Sequence, residues 1–189
     1  MEPVRDAGSI AWRTATGVAL KLAAPAGFLY GAVCLISIAN DSLFLGLLFL
    51  MSAIAAWVVA IYVRNLKPAW ITIGAGARIG MVTGIVSAWT STAVCGLLLF
   101  GARYWYGYGK TIDDSWASLV KGTMVPQWQS SGADPATVTQ LVTVLLSSEG
   151  RAAVGLAGVL LFAGLLLVFS TAGGALGARF LARPIQPEI

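Results

Sequence analysis

The sequence predicts an all-α fold: a four-transmembrane-helix bundle with two short amphipathic interfacial helices in the loop between spans three and four. Three observations carry that prediction. Hydrophobic residues make up 58% of the 189 residues and charged residues only 11%, with a mean hydropathy of +0.82. A soluble domain carries about 25% charged residues, so a surface this poor in charge is suited to lipid. Four apolar stretches reach the roughly 20 residues needed to cross a bilayer. Finally, Lys and Arg are scattered singly, towards or beyond the ends of those stretches.

The first span is expected over Val18 to Ala39, interrupted only by Lys21 and Pro25. Ser37-Ile38-Ala39 resembles a small-residue cleavage site, but the mixed charge of the preceding segment (Glu2, Asp6) is unlike a signal peptide, and the span is retained. The second, Leu43 to Val63, and the third, Ile79 to Ala102, contain no charge. The fourth, Ala152 to Ala178, is the most apolar. Only Asn40-Asp41-Ser42 separates the first two spans, which predicts a tight antiparallel hairpin. The whole chain, 1–189, is expected to be a single integral membrane domain with an outer loop at 103–151.

Counting Lys and Arg orients the spans. Arg5, Arg13, Lys21, Arg64, Lys67, Arg78, Arg179 and Arg183 fall on one side, and Arg103, Lys110, Lys121 and Arg151 on the other. The eight-to-four bias predicts that the N-terminus and C-terminus are both cytoplasmic, in a bacterial inner membrane.

The outer loop opens with RYWYGYGK, whose Tyr104, Trp105, Tyr106 and Tyr108 suit the headgroup layer, because their rings are apolar with a polar edge. Ile112, Trp116, Leu119 and Val120 recur at helical spacing, with Thr111 or Asp113 as the expected cap. A break is expected at Pro126 and again at Ser130-Ser131-Gly132. Asp134-Pro135 then reads as cap and first helical residue of a second helix striped by Val138, Leu141, Val142 and Leu145. Two such helices would lie on the outer leaflet. Tyr104, Trp105, Tyr106, Trp116 and Trp128 are the candidate partner or interface contacts.

GAGARIGMVTG (74–84) begins like a dinucleotide-binding loop. That motif must follow a strand and find an acidic residue about 20 positions on. Here no acid occurs between Asp41 and Asp113, and the nucleotide reading fails. The spacing survives: Gly76, Gly80, Gly84, Ala88, Thr92 and Gly96 recur every four residues on the third span. Gly27 and Gly31 do so on the first, and Gly173 and Gly177 on the fourth. Lipid supplies no hydrophobic force between helices, so close backbone approach through small residues holds them together. These small-xxx-small positions are expected to form packing seams. Thr83, Ser87, Thr90 and Ser91 (with Thr92) add a polar track to the third span, read chiefly as hydrogen bonding between or within helices and otherwise as a path for a neutral solute.

The sequence argues against several chemistries. It has no histidine and only two cysteines, Cys34 and Cys95, so no zinc-type spacing and no Ser-His-acid set can be built. No ionisable residue lies near the middle of a span, where proton relays and ion paths need one. Asp113-Asp114, the one paired-carboxylate site, reads as a helix cap. The basic residues form no cluster of the kind nucleic acid requires. Catalytic, metal and cofactor residues are therefore expected to be none.

The plan resembles bacterial four-span membrane proteins grouped as a domain of unknown function. The resemblance rests on the tight first hairpin, the third span ITIGAGARIGMVTGIVSA, the long outer loop and a fourth span ending in GGALGARFLAR. It implies a fold and no activity. The expected function is a non-catalytic accessory or scaffold subunit, docking through its glycine seams and aromatic loop onto a larger membrane complex. The alternative is a small transporter or channel for an uncharged solute along the Ser/Thr face of the third span. The expected partners are membrane lipids and a membrane protein or a second copy of the chain, with no nucleic acid.

Overall fold

The structure, a computed structural model, describes residues 10–37, 41–65 and 71–181, with side chains over 10–33, 46–65 and 71–181. The expected turn at Asn40, the topology markers Arg5, Lys67 and Arg183, and the side chain of Cys34 lie outside the described residues.

Every regular element among them is helical. The order is α1 (Trp12–Ser37), α2 (Asp41–Asn65), α3 (Ile73–Tyr104), α4 (Gly109–Leu119), a π-helical turn (Val120–Met124), α5 (Val125–Ser130), α6 (Pro135–Leu146) and α7 (Ser148–Leu181). Four stretches are long and apolar enough to span a membrane: Trp12–Val33, Gly46–Asn65, Ile73–Tyr104 and Ser148–Leu181. The chain is an integral membrane protein.

The long helices start earlier than the apolar runs because polar caps lie upstream of them. Thr72 Oγ1 accepts from the Ala75 amide at 3.2 Å, and Ser147 Oγ accepts from the Gly150 amide at 3.0 Å. Each satisfies one of the donors left open at a helix start. At 32 and 34 residues, α3 and α7 run to roughly 50 Å, well beyond a hydrocarbon core of about 30 Å.

The chain divides into two compact units, 1–95 with 162–189, and 96–161. In the first, α1, α2, most of α3 and most of α7 form a closed ring of contacts. α1 meets α3 where a Cβ built on Gly27 would stand 2.6 Å from the Ser87 carbonyl oxygen. α3 meets α7 where one built on Gly80 would stand 3.1 Å from Gly174 Cα. α7 meets α2 where Gly173 abuts Ser52 and Gly177 abuts Ala56, with the built Cβ atoms 2.6 and 2.8 Å from their Cα atoms. α2 returns to α1 through Tyr30, whose hydroxyl donates to the Leu47 carbonyl at 2.7 Å, and Tyr62, whose hydroxyl accepts from the Ala11 amide at 2.8 Å. Between the helices lie two apolar clusters. One gathers Val58, Val59 and Ile79, the other Tyr30, Met51 and Leu166.

In the second unit, α4, the π turn and α5 run on as a nearly continuous helix. The expected break at Pro126 is not there. A proline in a regular helix clashes with the carbonyl four residues back. The π turn widens the helix just ahead of it, and the Val125 amide bonds the Val120 carbonyl. The other expected break is found at Gly132, whose φ of +82° suits a residue without a side chain. Asp134 caps α6 as expected, accepting from the Thr137 amide at 3.1 Å.

Candidate interaction surfaces

Seven of the predicted seam glycines are consumed inside the chain. Gly27 and Gly31 press α1 onto Ser87 and Ser91 of α3. Gly76, Gly80 and Gly84 press α3 onto Ala178, Gly174 and Ser170 of α7, and Gly173 and Gly177 press α7 onto α2. Docking a partner through these seven positions, as the sequence suggested, is corrected: their neighbours are the chain's own helices.

The four-residue repeat on α3 is also not one seam. Each four-residue step rotates about 40° around an α-helix. From Gly76 to Gly96 the stripe drifts through roughly 200°. Gly76 to Gly84 pack on α7, and Gly96 is exposed with nothing near it; further along α3, Ser87 and Ser91 lie on the same side as Gly76 to Gly84 and pack on α1. Two adjacent rows let α7 serve two neighbours. Gly173 and Gly177 face α2 while Ser170, Gly174 and Ala178, one step round the helix, face α3. That second stripe was readable from its spacing in the sequence. It was missed because Ser170 is not a glycine and Gly174 sits next to one already assigned.

Three hydroxyls of the polar track donate to backbone carbonyls. Thr83 donates to the Ile79 carbonyl at 2.9 Å and Thr90 to the Val86 carbonyl at 2.9 Å, each one turn back on its own helix. Ser87 crosses to the Ala23 carbonyl of α1 at 3.0 Å. Thr83 and Ser87 are 0% exposed and Ser91 2%, so these side chains are closed off by packing in this conformation.

The aromatic candidates separate into two groups. Tyr104, Trp105 and Tyr106 are 65%, 78% and 73% exposed. Around them Phe100 lies tilted 4.7 Å from Tyr104 and edge-on 6.1 Å from Trp105, and Tyr106 lies nearly parallel to Tyr108 at 6.4 Å. Trp116 and Trp128 are half-buried. Trp116 donates its indole N–H to the Leu145 carbonyl at 2.8 Å. That carbonyl is one of those left open at the end of α6, so Trp116 is a structural clamp between α4 and α6.

Asp113 also has a different role from the cap expected of it. α4 begins at Gly109 behind Tyr108, without a side-chain cap, because Gly107 at φ +71° reverses the chain immediately before it. Asp113, one turn in, accepts from Arg103 at 2.9 and 3.2 Å and pairs with Arg151 at 2.7 Å. One carboxylate thereby ties the ends of α3 and α7 to α4. Arg103's hydrogen bonds, helped by the charges of Arg103 and Arg151, hold that carboxyl below its ordinary value of 3.8. A depressed carboxylate stabilises the fold above its ordinary value and loses that contribution as pH falls through its folded value. Asp113→Asn should therefore melt slightly below wild type at pH 7. The gap should close only below pH 3.8. Parallel thermal melts across pH check this; a gap unchanged in acid would assign the effect to something other than the ion pair.

With this geometry in view, the chain was compared with protein-family models, curated proteins and solved structures. None of the three yields a match.

Proposed function

We propose that the protein is a non-catalytic accessory or scaffold subunit that docks onto a larger membrane complex through the aromatic group at the end of α3. The observation that carries this reading is the exposure of Trp105 and Tyr106, 78% and 73%, beside packing seams that are already occupied. Large aromatics are enriched in the hot spots of protein interfaces, where they bury much area at little conformational cost. The Asp113 ion pairs support the reading, since they hold the α3 end that presents these rings against α4. The membrane is read as a bacterial inner membrane with both termini cytoplasmic, on the Lys/Arg bias. The amphipathic helices α4 and α6 would then rest on the outer leaflet. The resemblance to four-span proteins of unknown function speaks for the architecture and is silent on activity.

The docking test is extraction into polymer nanodiscs followed by quantitative mass spectrometry of stoichiometric co-purifying membrane proteins. Trp105→Ala with Tyr106→Ala should lose at least about tenfold of a partner retained by wild type, corresponding to about 1.4 kcal/mol for the two hot-spot residues together. Both rings are solvent-facing, so the double variant should melt like wild type. Identical co-purification from the two proteins would sink the proposal.

A further inference from the structure

Where α3 and α7 cross through Gly80 and Gly174, the closeness of the backbones leaves a groove of about 480 Å³ along one side. Its walls include Met81 and Ile85 from α3, and Val168, Thr171, Ala172 and Ala175 from α7. The volume falls in the range of roughly 300–1,000 Å³ typical of ligand sites, and the lining is almost wholly apolar.

Helix periodicity places one arginine on each face that lines the groove, beyond the apolar walls. Arg78 precedes Ile85 by seven residues, almost two full turns, and so shares its face of α3. Arg179 follows Ala175 by four residues, one turn further along the same wall of α7. Both are exposed. Their charges have no carboxylate close in sequence: neither 42–112 nor 150–187 contains an Asp or Glu.

We infer that this groove binds an anionic phospholipid, with one acyl chain along Ile85, Val168 and Ala172 and the headgroup phosphate between Arg78 and Arg179. Charge complementarity decides the occupant. A spanning helix seated in the groove would cover its apolar length and leave both guanidiniums without a counter-charge. An anionic phospholipid supplies the apolar chain and the phosphate in one molecule, and basic pockets between transmembrane helices are suited to such headgroups. Guanidinium groups also match phosphate with paired, charge-assisted hydrogen bonds. The seat is independent of the aromatic docking surface.

Delipidated protein in mild detergent is titrated with phosphatidylglycerol and with phosphatidylcholine of the same acyl chains. Bound lipid is counted by native mass spectrometry and stabilisation is followed by thermal melts. Wild type should bind one phosphatidylglycerol at least about tenfold more tightly than phosphatidylcholine. Arg78→Ala with Arg179→Ala should weaken phosphatidylglycerol roughly 25-fold, from about fivefold for each arginine at a membrane surface. The double Lys variant should retain most of the preference, which separates lost charge from lost folding. Ala172→Trp, at an exposed position, should fill the groove and abolish saturable binding with both arginines intact. Equal affinity for the two lipids overturns the inference, as does unchanged phosphatidylglycerol binding in Ala172→Trp. Full competition by inorganic phosphate would show a free-anion site and overturn it too.

Discussion

Gly80→Leu is expected to lower the apparent melting temperature of the detergent-solubilised protein by roughly 5–10 °C. A Cβ at position 80 would overlap the Ser170 carbonyl oxygen and stand 3.1 Å from Gly174 Cα. Both are backbone, so no rotamer change relieves the clash; α3 and α7 must separate. Overpacking of a tight contact costs about 1–3 kcal/mol in general, and a leucine against backbone belongs at the upper end. For a chain of this size each kcal/mol moves the midpoint by about 2–4 °C. Gly155→Leu is the control. It lies on α7 with nothing within 4 Å of a built Cβ, so the larger side chain meets no protein atom and the helix gains propensity. Equal melting of wild type and Gly80→Leu would show that this crossing is not the tight one described.

The second large effect should come from Gly150→Ala, where helix propensity and geometry disagree on the sign. Alanine is favoured over glycine in a helix by about 1 kcal/mol, and Gly150 lies in the first turn of α7. By propensity alone the substitution stabilises. Only Ser147 separates the end of α6 at Leu146 from the start of α7, and a Cβ on Gly150 would overlap the Val144 carbonyl and lie 3.1 Å from Leu145 Cα. Opening that turn also moves the Leu145 carbonyl away from Trp116. We expect a net loss of about 1–3 kcal/mol, seen as a lower melting temperature together with faster amide exchange over α6. A variant as stable as wild type would mean that the turn yields without cost.

These two glycines also mark what could be read in advance. Gly80 stood out in the sequence because it belongs to a four-residue repeat in an apolar span. Gly150 carried no such signal, since its need arises from the backbone of α6 folding back beside it. The same contrast holds for Asp113. A carboxylate near a helix start reads as a cap from local sequence, yet its actual partners are ten and 38 residues away at Arg103 and Arg151. Trp116 and Trp105 look alike as aromatic residues of one loop. Only the position of α6 makes the first a half-buried clamp and leaves the second exposed.

By itself the sequence determined that the chain is helical, that it crosses a membrane, and which residues allow close helix approach. Those properties follow from composition, from the length of apolar runs and from small-residue spacing, all local to each segment. The tertiary structure alone decided which helix each small residue faces. Gly76 and Ser91 lie within about 60° of each other on α3, yet the first meets α7 and the second α1, because the two partners approach at different heights along the helix. It also decided that Ser87 reaches the Ala23 carbonyl of α1, and that Asp113 joins two arginines. Each of those outcomes depends on where a distant segment comes to rest, which no local pattern encodes.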